Sequence, residues 1–334
     1  MIQPFRYIFA NTIEDLIAYS KEDNLLFLAG GTDLVPNLKH EVRQAASIVD
    51  LSRISELQQI KKEADGSLRL GSMLTLEQLI NSDLISGKYP ELRYAAMRVA
   101  SPQIRNIGTL GGNLMQDRRC IYFNQSFNWR SSFDLCYKTG GEICHQGLKS
   151  EVCRANYYSD LATVLYVLHA QVSCIAAGKP ELLSIKDLLQ RHADNNGRSA
   201  CEKLFIAEII IPARKGHGFF LKEAVRNAID FPLFNAAGSV EFDAEGEVAR
   251  YTIAVGAISP QPEYLTLTAA EMLAAKRSKK AMTEDLQAKL MQIALEEIKT
   301  KAVPILEDNI TIAAKRQLYS ALWPYLSALY SENY

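Results

Sequence analysis

Neither sign of charge dominates this sequence: 37 Lys and Arg stand against 38 Asp and Glu, a net charge of -1. That balance excludes the positive stripe on which nucleic-acid binding depends, and no such partner is expected. Long apolar runs are also missing. LATVLYVLHA, among the longest, is too short and too interrupted to cross a bilayer. The opening MIQPFRYIFANTIEDL has no apolar stretch behind a basic end, so the expectation is no secretory signal, no membrane contact and a cytoplasmic location. Cysteine is scarce, six residues in 334, and in a reducing compartment few of them would persist as structural disulfides. What the chain does have is an ordinary globular balance, 48% hydrophobic and 22% charged, over a length that calls for two or three domains rather than one core.

Alternating elements fill the first part. TIEDLIAYSKED has helical spacing, LLFLAG reads as a short buried strand, PNLKHEVRQ as a helix and SIVDLS as a strand, an α/β unit over residues 1–60. A second unit, residues 61–213, opens with GSLRLGSMLTLEQLINS, where Thr75 is placed to cap the helix. It runs on through SDLATVLYVLHAQVSCIA, a helix leading into a strand, and closes on the strand EKLFIAEIIIP. The third, residues 214–334, begins with FFLKEAVRNAIDFPLFNAAGSVEFD and EVARYTIAVGAIS, whose alternation predicts antiparallel strands, and ends in amphipathic helices. The expected class is α+β. An aromatic stripe near the end, Tyr319, Trp323, Tyr325 and Tyr330, reads as packing or subunit contact.

Two glycine segments could hold a ligand. Gly30, Gly31, Thr32 and Asp33 come directly after a buried strand, where glycines let the backbone turn tightly and present N–H groups to phosphate oxygens. The segment is neither G-x-G-x-x-G nor a Gly-Lys-Ser/Thr loop, which excludes a Rossmann site and an ATPase on motif grounds. The second, Gly108, Thr109, Gly111, Gly112 and Asn113, suggests another bent backbone. Two such nests suit a diphosphate carrying a large flat group.

Four cysteines, Cys120, Cys136, Cys144 and Cys153, lie within thirty-four consecutive positions. Their C-x15-C-x7-C-x8-C spacing lacks the C-x2-C knuckles of structural zinc modules and matches neither common ferredoxin pattern. An iron–sulfur cluster fits best, because Arg118, Arg119, Arg130, Lys138, Lys149 and Arg154 surround the thiolates and Gly140 and Gly141 free backbone N–H groups for sulfur. Acidic Asp117, Asp134, Glu142 and Glu151 dilute that argument, and zinc or purely structural cysteines stay open. His145 reads as a hydrogen-bond donor near the site, Cys174 as a buried small hydrophobe and Cys201 as a surface thiol.

LAGGTDLVP, IRNIGTLGGN, YSDLATVLYVLHA and FFLKEAVRNAIDFPL, in that order, resemble the FAD-binding subunit of the molybdenum hydroxylases. The resemblance covers nearly the whole chain and implies a two-part FAD-binding domain of the PCMH or vanillyl-alcohol-oxidase-like type, followed by an antiparallel sheet with helices. An insertion at about residues 114–157, with Y-F-N-Q-S-x-x-W-R and C-x-K-x-x-G-x-x-C-H, most resembles the β subunit of 4-hydroxybenzoyl-CoA reductase. It implies a 4Fe-4S cluster on Cys120, Cys136, Cys144 and Cys153 beside FAD. By the same resemblance, Ala29 to Leu34 and Thr109 to Asn113 would hold the FAD diphosphate, Asp160 the nucleotide portion, Lys222 would stand near the isoalloxazine and Ile206 against it. Read without the resemblance, Asp160 is a helix N-cap that Ser159 could equally supply, and Lys222 a solvated charge on a strand edge. The implied partners are a large molybdenum-cofactor subunit, a small 2Fe-2S subunit and ferredoxin. The implied reaction is reductive dehydroxylation of an aromatic CoA thioester, with an aldehyde- or N-heterocycle-oxidising complex as the alternative.

Overall fold

The computed structural model describes residues 2–147, 150, 152–194, 204–303 and 320–331. Lys149, Glu151, Cys201 and Tyr319 lie outside them.

Three sheets follow one another along the chain. The first is parallel, in the order β1 (Arg6–Phe9), β3 (Ser47–Asp50), β2 (Leu25–Leu28). Its crossover helix Ile13–Tyr19 starts at a capping box in which Thr12 and Asp15 satisfy each other's backbone N–H groups. The helix after β2 is shorter than its spacing predicts: it spans Leu34–Lys39, and Glu41, at φ 55°, turns the chain back so that the Val42 and Arg43 amides bond the Asn37 carbonyl.

The second sheet is antiparallel, with β4 (Ile60–Lys62), β5 (Leu68–Gly71), β8 (Leu204–Ile211), β6 (Gln171–Ala176) and β7 (Lys179–Ser184) in that order. The central place of β8 explains its near-continuous apolar run LFIAEIII. Thr75 caps Leu76–Ile80 through a full capping box with Gln78, as its position predicts. Helix Asp160–Val167 is buried along every residue, and together with Pro90–Met97 it fills the space between this sheet and the next. A helix at Ile185–Asp194 follows β7.

The third sheet is an antiparallel meander, β9 (Gly216–Glu223), β10 (Phe234–Phe242), β11 (Val248–Gly256) and β12 (Glu263–Tyr264). Helices Thr266–Arg277, Glu284–Lys301 and Trp323–Ser331 cover one face. The described members of the aromatic stripe pack: Tyr325 lies 5.2 Å from Phe219 and Tyr330 6.4 Å from Tyr251, between ring centroids. Among the described residues no helix is long and apolar enough to cross a membrane.

Candidate cofactor site

The two glycine segments meet. Gly30 packs so closely on the segment before Thr109 that a Cβ there would lie 1.9 Å from the Ile107 carbonyl oxygen. Gly31 takes the left-handed φ of 71° that suits a glycine in the turn after β2. The second segment departs from expectation. Thr109 caps the short helix Leu110–Leu114, and Gly111 and Gly112 are helical rather than bent. What Gly111 supplies is the absence of a side chain, since a Cβ would stand 2.7 Å from that of Ser72.

Between the segments and β8 lies a cleft lined by Ala29, Asp33, Leu34, Gly111, Gly112 and Ile206 from the predicted set. Phe27, Met73, Met115 and Phe205 add apolar wall, and Asn37, Arg43 and Asp117 a polar end. That mixture of apolar wall and polar end suits a cofactor. Of the other predicted residues, Gly30, Gly31, Thr32 and Thr109 form the structure behind that wall, and the Asn113 amide oxygen accepts a 2.5 Å bond from the Ser159 hydroxyl.

Asp160 and Lys222 do not line this cleft; they are bound to each other. The Lys222 ammonium donates to Asp160 at 2.6 Å and to the Arg98 carbonyl at 3.0 Å, while the Asn235 amide donates to the other Asp160 oxygen at 2.8 Å. Both side chains are below 5% exposed, so the solvated-edge reading of Lys222 fails although β9 is an edge strand. The N-cap reading of Asp160 fails too, because the Ser159 hydroxyl takes the Ala162 amide.

The four cysteines Cys120, Cys136, Cys144 and Cys153 all border one small apolar cavity, together with Phe123, Lys138, Ile143 and His145. Their thiols do not converge on one point: among the described residues no three His, Cys, Asp or Glu side chains stand together as metal ligands. None of the four is joined in a disulfide. Burial pushes the Cys153 thiol up, with Arg118 pulling it back down, and a bound metal would have to displace that proton. Four thiols on one cavity are the kind of donor set that a thiolate-held cluster takes. His145 Nε2 donates to the Asp134 carbonyl, 2.8 Å away, rather than to a sulfur, and the Thr139 hydroxyl approaches the Cys136 sulfur at 3.6 Å. The Gly141 amide bonds the Cys136 carbonyl instead of sulfur.

The basic residues around the cysteines have a second task that spacing does not reveal. Arg119 pairs with Asp33 at 2.5 Å, and the Asp117 amide donates to the same Asp33 carboxylate at 3.0 Å, tying the start of the insertion to the glycine turn. Arg43 grips Asp117 at 3.0 and 2.7 Å, and Arg130 donates to the carbonyls of His40 and Glu41. Asp117 therefore belongs to both places: it lines the cleft and lies 3.7 Å from Lys138, which lines the cysteine cavity. Burial opposes its charge, yet the Lys138 ammonium and Arg43 guanidinium outweigh that and hold its carboxyl far below the usual range. Because Asp33 and Asp117 each have a cation, the cleft presents no uncompensated negative charge to a diphosphate. Asn37, Arg43 and Asp117 are site residues that sequence reasoning missed, since each partner lies about 74 to 86 positions away.

Residues 3–214 match the family described as the FAD binding domain in molybdopterin dehydrogenase. The chain is a FAD-binding subunit of the molybdenum hydroxylase family. It is 28% identical over 260 residues to the aldehyde oxidoreductase FAD-binding subunit PaoB of Escherichia coli K12, covering 74% of this chain and 81% of that one. A xanthine dehydrogenase FAD-binding subunit from Escherichia coli O157:H7 is 45% identical over 87 residues, 26% of this chain and 30% of that protein. Among solved structures, carbon monoxide dehydrogenase from Hydrogenophaga pseudoflava, in a form lacking the Mo-pyranopterin moiety, superposes with a TM-score of 0.75 over 99% of both chains at 19% identity. The fold is thus the family's mixed α+β architecture, and this chain is an oxidoreductase subunit that binds FAD.

Proposed function

We propose that this chain is the flavin and iron–sulfur electron-transfer subunit of a molybdenum-dependent complex. The observation that carries the proposal is the placement of four cysteines around one cavity, on an insertion fastened to the wall of the flavin cleft. FAD and a 4Fe-4S cluster would supply the one- and two-electron exchange that side chains cannot. The chain's own residues bind and orient. Ala29 to Leu34 and Thr109 to Asn113 form the diphosphate wall, Ile206 an apolar face, and the buried Asp160–Lys222 pair a fixed dipole close to the family's flavin motif. Cys120, Cys136, Cys144 and Cys153 are the metal ligands.

Substrate conversion belongs to partners: a large molybdenum-cofactor subunit and a small 2Fe-2S subunit. Two substrate readings each have an observation behind them. The match to an aldehyde oxidoreductase subunit over 74% of the chain supports oxidation of an aldehyde or an N-heterocycle. The pattern from Tyr122 to His145 resembles the 4-hydroxybenzoyl-CoA reductase β subunit and supports reductive removal of a phenolic hydroxyl from an aromatic CoA thioester, with ferredoxin as donor. The purified complex separates them. Dye reduction by aldehydes or heterocycles without thioester turnover selects the first reading, and thioester dehydroxylation by a reduced low-potential dye selects the second. Absence of FAD from the complex sinks both.

A further inference from the structure

Among the described residues, basic side chains outnumber carboxylates beside the cysteine cavity. Asp117 is already neutralised by Arg43, which approaches both of its oxygens. Lys138 is a second cation on that carboxylate, 3.7 Å away, with a side chain only 1% exposed. Its ammonium also donates to the Arg118 carbonyl at 2.5 Å and stands 3.7 Å over the Phe123 ring. The Arg118 side chain, likewise 1% exposed, sends its guanidinium to the carbonyls of Cys153 and Ala193. Arg119 is matched by Asp33, whereas among the described residues Lys138 is a buried cation that shares its carboxylate with Arg43, an expensive arrangement for an interior because an ammonium leaves water only where opposite charge replaces it. The thiols that share the cavity with Lys138 are groups that carry such charge once deprotonated.

We propose that Lys138 is a positioning residue whose buried ammonium compensates the thiolate charge of the cysteine cavity and thereby sets the midpoint potential of the cluster held there. This rests on the cluster reading of the four cysteines. A fixed positive charge next to a cluster favours the form with one more electron, so the lysine raises the potential. Since Asp117 lines the flavin cleft, the same pair puts the two redox sites in electrostatic contact.

The test is an EPR-monitored redox titration of the complex purified without oxygen. Lys138→Gln is expected to retain cluster iron and shift the cluster potential negative by at least the equivalent of a tenfold change in the reduced-to-oxidised ratio, about 59 mV for a one-electron couple. Lys138→Arg, which keeps the charge, is expected to restore it. An unchanged potential in Lys138→Gln with full iron overturns the inference, as does an equal shift in both variants. Should Lys138→Gln not take up iron, Asp117→Asn carries the test: it leaves the ammonium and removes its carboxylate, so the shift must be positive, and an unchanged or negative shift overturns the inference. A wild-type complex without a 4Fe-4S signal fails the underlying reading before any variant is compared.

Discussion

Replacing Gly30 with alanine tests the joint between the two glycine segments. The added Cβ would stand 1.9 Å from the Ile107 carbonyl oxygen, 2.7 Å from its carbon and 3.2 Å from the Gly108 Cα. All three are backbone atoms, so no rotamer change relieves the overlap. To regain ordinary contact near 3.4 Å the segments must separate by about 1.5 Å. Overpacking of this kind costs roughly 1–3 kcal/mol where side chains can adjust, and backbone on both sides places Gly30→Ala at the upper end. If that strain is relieved by opening the wall of the cleft, FAD affinity falls by about a factor of ten for every 1.4 kcal/mol, so a loss of roughly 100-fold is expected. Gly87→Ala is the control, because nothing lies within 4 Å of its Cβ and alanine suits a helix. Fluorescence titration of flavin-stripped complex with FAD, beside a thermal melt, reads both. Affinity within threefold of wild type in Gly30→Ala, with an unchanged melt, would refute the reasoning.

Other outcomes follow from buried charge. Lys222→Met leaves the Asp160 carboxylate enclosed with Asn235 alone, and should cost about 3–5 kcal/mol in urea unfolding; Lys222→Met combined with Asp160→Asn should recover part of it. His192, depressed to about 4 from its ordinary 6.5 by burial first and by Arg118 next, favours the neutral ring in the folded chain. Its contribution is therefore present above pH 6.5 and lost as pH falls through about 4, up to about 3 kcal/mol. Denaturation midpoints at pH 7 and pH 5 should differ less in His192→Leu than in wild type, and an identical pH dependence would remove His192 from the account.

Local features were legible in the sequence because their physics is local. Thr75 announces a cap through the residues that follow it, and AGGTD announces a tight turn after a buried strand. Gly111 and Gly112 misled for an instructive reason: a glycine kept for close packing on Ser72 looks the same in sequence as one kept for a left-handed φ. The burial of Lys222 was hidden because an edge strand is ordinarily solvated, whereas here Asp160, 62 residues away, waits for its ammonium. The Asp33–Arg119 and Arg43–Asp117 pairs join the glycine turn and its following helix to the insertion across 86 and 74 positions, beyond the reach of any spacing rule. Asp117 in particular looks like a charge that weakens the case for a cluster; in the fold it is the carboxylate that holds Lys138 and Arg43.

The central claim is that one chain carries both a flavin and a cysteine-held cluster. Its most direct test is the flavin, iron and acid-labile sulfide content of the anaerobically purified complex, measured for wild type and for Cys136→Ser. The account predicts one FAD per chain in both, with four iron and four sulfide per chain present in wild type and missing from the variant. Equal iron in the two preparations, or a wild-type complex without FAD, would contradict it.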